Sequence, residues 1–151
     1  MVVIEKFDCL HFILGKALQQ VKQLSKEKLS SYGITSVQFG VLYFLWKKDG
    51  QLGSELGERL QMDSATVTGI IDRLEQGGFI ERRLDSSDRR NRFVFLTEKG
   101  RLLEEPLSHK MDELDSELLS QYDEEKVQEF KQMLFDIGLG LKKGTKAGMF
   151  Y

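Results

Sequence analysis

Between Asp63 and Thr97 the spacing of apolar residues changes from helical to strand-like, and this change constrains the fold more than any other property of the chain. Val67, Ile70, Ile71 and Leu74 recur at i, i+3, i+4, i+7, the inner face of a helix. Gly77 and Gly78 then supply a left-handed stop. From Ile80 to Thr97 the sequence reads IERRLDSSDRRNRFVFLT: two short apolar-alternating runs around a polar turn, the pattern of a β-hairpin. Val94 and Leu96 are expected to point inward on the return strand. Five arginines (Arg82, Arg83, Arg89, Arg90, Arg92) face only three acids (Glu81, Asp85, Asp88), so the hairpin tip is positive.

The flanking segments read as helices. Ile4, Phe7, Leu10, Leu14, Leu18, Val21, Leu24 and Leu29 predict a first helix over residues 4–30, ended by Tyr32-Gly33. Thr35-Ser36-Val37-Gln38 is a capping box. The second helix it opens runs to about Lys48. It is apolar nearly all round (Phe39, Val41, Leu42, Tyr43, Phe44, Leu45, Trp46), which predicts a central place in the core. After an Asp49-Gly50 turn, a third helix covers about Gly53 to Leu60, with Leu56 and Leu60 inward. Gln61-Met62 makes a tight link, and Asp63 or Ser64 caps the fourth helix. Thr97 caps a long helix containing Pro106, expected to bend that helix rather than end it. Asp123 caps a last helix with Val127, Phe130, Met133, Leu134, Ile137 and Leu141 on one side, and residues beyond 142 read as a loose tail. The fold class is mainly α with a small β-hairpin, an α+β arrangement.

Charge is unevenly spread. The 151 residues carry a formal net charge of −2. Arg82 to Arg92 holds five basic and two acidic residues, whereas Leu103 to Glu129 holds ten acidic residues and two lysines. A polyanion surface would therefore be focused on the hairpin, with the acidic arm turned away from it. No apolar run reaches the roughly 18 residues of a membrane span. The N-terminus MVVIEKFDCL lacks the basic region of a signal peptide, so a cytoplasmic protein is expected. An enzyme is not expected: there is no phosphate-binding glycine loop, and His11, His109 and the single Cys9 do not make a spaced metal set. No catalytic residue, cofactor or metal is assigned.

Two short helices joined by a tight turn, followed by a hairpin, suit double-stranded DNA. The second helix of such a pair fits the major groove with its N-terminal residues at base edges, here Ser64, Ala65, Thr66 and Thr68. Arg73 lies further along the outer side, in reach of a phosphate. Arg89, Arg90 and Arg92 at the hairpin suit phosphates and the adjacent minor groove. Taken singly, Ser64 and Thr66 also suit helix caps, and the arginines a solvated tip. A winged helix that docks an acidic protein partner is the competing reading, separable by the salt dependence of duplex binding.

MDSATVTGIIDRLEQGGFIERRLDSSDRRNRFVFLTEKG resembles the core signature of the MarR family of transcription regulators, including its Asp-x-Arg wing motif (Asp88, Arg89, Arg90) and the following Leu96-Thr97. GITSVQFGVLYFL resembles the second helix of the family, and the similarity spans roughly residues 7 to 142. The resemblance implies a winged helix-turn-helix lobe over 35–97, a helical dimerisation lobe from 1–34 and 98–142, and a tail over 143–151. It implies a homodimeric repressor on an inverted-repeat operator, released by a small aromatic or amphipathic effector or by a redox signal. Candidate effector residues are His11, Lys16, Phe39 and Tyr43, although Phe39 and Tyr43 also suit the core. Asp88 is expected to orient Arg90 rather than touch DNA, because a carboxylate repels phosphate. Gly69 departs from the arginine many relatives carry on the reading helix. Cys9 sits where a hydroperoxide-sensing branch has a reactive cysteine, but Ile13 and Gln23 stand where that branch has supporting tyrosines.

Overall fold

The structure, a computed structural model, describes residues 8–140. The expectations for Ile4, Phe7, Leu141 and the tail lie outside them. The chain divides into two compact units, one up to Leu114 and one from Asp115 onward.

The first unit opens with α1 (Leu10–Leu29) and a 3-10 turn (Ser30–Tyr32). Gly33, at φ 69°, ends it, with its N–H on the Ser30 carbonyl and that of Ile34 on Leu29. Only the C-terminal part of α1 is buried, through Ser25 and Leu29. Helix α2 (Ser36–Lys47) starts at the capping box: Gln38 N–H donates to Thr35 Oγ1 at 3.3 Å, and Thr35 N–H donates to Gln38 Oε1 at 2.9 Å. Val41, Leu42 and Leu45 are fully buried, but Val37 and Tyr43 are exposed, so α2 is central along one side and not around its whole circumference.

The two-residue strand β1 (Gln51–Leu52) and α3 (Gly53–Leu60) follow. Asp63 caps α4 (Ser64–Gln76), and β2 (Ile80–Leu84) and β3 (Arg92–Leu96) form the hairpin. Sequence spacing indicates the hairpin but not β1, which is too short to show an alternation. The sheet has three antiparallel strands in the order β1-β3-β2, with Gln51 opposite Val94 and Arg82 opposite Val94 from the other side. Val94 and Leu96 point inward as the alternation requires. They join Leu29, Leu42, Leu56, Ile71, Leu74, Phe79 and Leu107 in one apolar core.

Pro106 interrupts the helix that contains it. The continuous helix expected after Thr97 is instead α5 (Glu98–Leu102) and α6 (Glu104–Leu119), separated at Leu103. A proline lacks the N–H for the carbonyl four residues back and its ring crowds that carbonyl, here Leu102, so the ladder breaks there and not at Pro106 itself.

In the second unit Asp123 caps α7 (Glu124–Phe135) by accepting the Lys126 N–H at 2.9 Å. A π-helical turn (Asp136–Gly140) follows. Phe130, Met133, Leu134 and Ile137 are exposed there. No helix among the described residues is long and apolar enough to cross a membrane.

Candidate nucleic-acid interface

The turn between α3 and α4 sets the angle of the helix pair. Gln61 adopts φ 51°, a left-handed conformation for a residue with a Cβ. Its N–H bonds to Glu58 at 3.2 Å and that of Met62 to Gly57 at 2.9 Å, closing the end of α3. Gly57 sits under Val67, where a Cβ would come within 3.2 Å of the valine methyl, so close approach here holds the two helices together.

The front of α4 is exposed at Ser64, Ala65, Thr66 and Thr68, and Arg73 is exposed on the same helix. Asp63, not Ser64, is the cap. Its carboxylate accepts the Thr66 N–H at 2.9 Å and the Thr66 hydroxyl at 2.7 Å. The Thr66 hydroxyl proton is thus committed to the cap, while Ser64 is left uncommitted by it. The hydrogen bonds from the Thr66 hydroxyl and N–H hold the Asp63 pKa below the usual carboxylate value. A lowered folded pKa means that the cap contributes fully above the ordinary carboxylate range and is lost as pH falls through the folded value. Asp63→Asn keeps an acceptor that does not titrate. Wild type should therefore lose stability relative to this variant as pH drops below about 4, measured by denaturant unfolding.

At Gly69, an added Cβ would meet nothing within 4 Å. Gly69→Ala should raise stability by up to about 1 kcal/mol through helix propensity alone, measured as a shifted denaturation midpoint.

Helix α4 ends at Gly78, φ 76°, where Gly78 N–H bonds to Glu75 and Phe79 N–H to Leu74. The chain then turns into the wing. Its tip, residues 85–91, is built by two carboxylates. Asp85 accepts the N–H and hydroxyl of Ser87, at 2.9 and 2.8 Å. Asp88 accepts the Arg90 N–H at 3.0 Å, and it holds the Arg90 guanidinium through Nε at 3.1 Å and Nη2 at 3.3 Å. These bonds lower the Asp88 pKa, so the pair stays ionised through neutral and mildly acid pH. The Arg90 side chain is nevertheless 90% exposed, so it is oriented without being withdrawn from solvent.

The five wing arginines are not equivalent. Arg82 is turned onto α4, ion-paired with Asp72 and Glu75. Burial works against its charge, but these two carboxylates outweigh it and raise its pKa. Arg83 pairs with Glu81 and stacks over the Phe95 ring at 4.4 Å. Arg89 and Arg92 are exposed and make no ion pair among the described residues. The outward positive charge therefore narrows to Arg89, Arg90 and Arg92 on the wing and Arg73 on α4.

Asp49 has a role that the sequence did not disclose. Its Oδ1 accepts the N–H groups of Gly50 and Leu96, at 3.0 and 2.9 Å, and its Oδ2 pairs with Arg101 at 3.0 Å. One carboxylate thereby ties the end of α2 to the end of β3 and to α5. An Asp-Gly pair signals a turn in sequence, but its tertiary partners lie 47 and 52 residues away.

The effector candidates lie on two helices, α1 and α2. His11 and Lys16 are exposed on α1, with Lys16 near Gln19 and over the Phe12 ring at 5.8 Å. Phe39 packs partly on the core, 5.8 Å from the Trp46 ring and 6.3 Å from that of Tyr43. Lys47 lies over Tyr43 at 5.3 Å. The clefts at Arg101–Asp112 and at Gln128–Met133 are lined by none of the four. Cys9 is exposed at the start of α1 and gives it no side-chain cap.

Comparison with known proteins bears on this geometry. A family profile described as "MarR family" matches residues 34–91. The HTH-type transcriptional regulator MhqR of Bacillus subtilis is 30% identical over 140 residues, which is 92% of this chain and 96% of the relative. Among solved structures, a Staphylococcus aureus MepR–DNA complex superposes with a TM-score of 0.79 at 28% identity, covering 87% of this chain and 97% of that one. A probable transcriptional regulator from Pseudomonas aeruginosa gives 0.78 at 28% identity, covering 86% and 97%. The capped reading helix, the Asp88–Arg90 wing and the match along almost the whole chain lead to one assignment: this protein belongs to the MarR family and is a winged helix-turn-helix transcriptional regulator.

Proposed function

We propose that the chain acts in the cytoplasm as a homodimeric repressor that binds an inverted-repeat operator in double-stranded DNA. One observation carries the DNA surface: the exposed front of α4 and the outward arginines of the wing belong to one unit and follow one another in the chain. In this reading Ser64, Ala65, Thr66 and Thr68 meet base edges in the major groove. Arg73, Arg89 and Arg92 hold phosphates, and Arg90, steered by Asp88, enters the minor groove.

The dimer is supported by apolar surface that a lone chain leaves in water: Leu10, Ile13 and Leu18 on α1, and Phe130, Met133, Leu134 and Ile137 in the second unit. Residues 1–34 and 98–142 would supply the dimerisation lobe. Two-fold symmetry then places half-sites about 10 base pairs apart between centres. The test is selection of duplexes from a random pool, followed by titration over a salt series. Recovery of an inverted repeat, with log affinity falling steeply against log salt, supports the reading. A single asymmetric half-site, or binding indifferent to salt, overturns it.

For release by a small aromatic or amphipathic compound, the exposed Tyr43 and the neighbouring Phe39 would pack its apolar part, and Lys16 or His11 on α1 would pair with a carboxylate. Calorimetry with aromatic acids should show heat of binding and a matching fall in duplex affinity. A redox reading through Cys9 is not favoured, because Ile13 and Gln23 occupy the positions where supporting tyrosines would stand.

A further inference from the structure

Arg82 commits its guanidinium and its backbone N–H to the reading helix. Its Nη1 donates to Glu75 Oε1 at 2.8 Å and its Nη2 to Asp72 Oδ1 at 2.5 Å. Its backbone N–H donates to the other Glu75 oxygen at 3.0 Å. Asp72 and Glu75 stand three residues apart, on one side of α4, so the planar guanidinium spans about one helical turn. The Arg82 side chain is 19% exposed, against 55% for its neighbour Arg83. In the sheet Arg82 lies opposite Val94, two residues from Arg92 on the same β3 strand. The bonds thus brace the strand that leads to the wing tip directly against the helix that carries Ser64 to Arg73.

We propose that Arg82 is a positioning residue for DNA binding: with Asp72 and Glu75 it forms a strut that sets where the wing arginines stand relative to the reading helix, and it does not itself touch DNA. The proposal rests on the DNA reading above. Beside this strut, the wing is anchored at its root, through the Gly77-Gly78 turn, the packing of Ile80 and Val94 in the core, and the pairing of β3 with β1 at Val94 and Phe93. Beyond Phe93, where β1 no longer pairs with β3, the wing is a two-strand projection, and such a projection held at its root alone tilts readily. A groove contact at its tip requires a fixed tilt, and a bidentate, charge-assisted pair supplies one.

The strut makes a prediction opposite in sign to simple charge counting. Asp72→Asn with Glu75→Gln removes two negative charges from a helix that approaches a polyanion. Electrostatics alone would tighten duplex binding. The strut requires weaker binding, by about tenfold, the scale of a broken hydrogen-bonded charge pair. Arg82→Gln should weaken binding by a similar factor, and Arg82→Lys by less than Arg82→Gln, since an ammonium keeps the charge but not the fork. In an Arg90→Ala background, Arg82→Gln should cost little more, because the side chain it positions is already gone.

The experiment is fluorescence anisotropy on one selected duplex with wild type, Arg82→Gln, Arg82→Lys, Asp72→Asn/Glu75→Gln, Arg90→Ala and Arg82→Gln/Arg90→Ala, with thermal unfolding of each. Weaker binding by the double acid variant, with non-additivity between Arg82 and Arg90, supports the strut. Tighter or unchanged binding by the acid variant, or additive effects at Arg82 and Arg90, overturns it. If Arg82→Gln is unfolded at assay temperature, the acid variant carries the test, since Asp72 and Glu75 are exposed on α4. Failure of wild type to bind any duplex overturns the DNA reading itself and is distinct from wild-type binding that Arg82→Gln leaves intact.

Discussion

Gly100→Ala should destabilise the protein by about 3 kcal/mol, the upper end for an overpacked interior, and lower the melting temperature by roughly 10 °C. Gly100 is buried in α5, and an added Cβ would stand 2.1 Å from the Phe79 carbonyl oxygen. That oxygen belongs to the backbone, so no rotamer change relieves the clash. The Phe79 oxygen already accepts the Thr97 N–H at 3.0 Å. The Thr97 hydroxyl in turn donates to the Gly78 carbonyl at 2.6 Å and accepts the Gly100 N–H at 3.2 Å. The Trp46 indole N–H donates to the Gly100 carbonyl at 3.0 Å. Moving α5 outward to admit one methyl group would therefore strain four hydrogen bonds around one junction. Gly15→Ala is the control: nothing lies within 4 Å of its added Cβ, so the helix should gain up to about 1 kcal/mol. Circular dichroism melts of the two variants check both directions. An unchanged melting temperature for Gly100→Ala would mean that the packing of α5 against the strand is looser than the distance implies.

Removing the three outward wing arginines together, as Arg89→Ala/Arg90→Ala/Arg92→Ala, should weaken duplex binding by at least about a hundredfold. It should also reduce the slope of log affinity against log salt by about 4, roughly one for each phosphate that Arg89 and Arg92 of the two copies no longer neutralise. The same triple change should barely alter the melting temperature. All three residues are exposed, two at the tip and one at the start of β3, and only Arg90 has an ion partner among the described residues. Asp88→Ala provides the internal comparison. It removes a negative charge near DNA, which on charge alone strengthens binding. It also releases Arg90 from three hydrogen bonds, and misorientation should win, giving weaker binding. Tighter binding by Asp88→Ala would show that the carboxylate restrains Arg90 from DNA rather than aiming it. A slope unchanged in the triple variant would mean that phosphates are held elsewhere on the chain.

Much of the architecture was legible in the residues because it is governed by local rules. The Thr35–Gln38 box, the inner face Val67, Ile70, Ile71, Leu74 and the Gly78 stop each follow from interactions within a few residues. The alternation that buries Val94 and Leu96 does so as well. Two features escaped such rules for physical reasons. Strand β1 exists because β3 offers a free edge opposite Gln51 and Leu52, not because two residues have a strand pattern. Pro106 marks a break whose position, Leu103, is decided by its i−4 clash and by where Leu107 must be buried.

By itself, then, the sequence determined the order of elements, the reading helix and a wing rich in arginine, since periodicity, caps and composition are properties of adjacent residues. Only the tertiary structure decided which arginines are available. Arg82 is spent on Asp72 and Glu75 and Arg83 on Glu81; with Arg90 paired to Asp88, a local pair the sequence already suggested, Arg89 and Arg92 are left uncompensated among the described residues. Charge counted along a chain records how many ions there are. Arg82 meets Asp72 and Glu75, ten and seven residues away in sequence, only because the wing folds back upon α4.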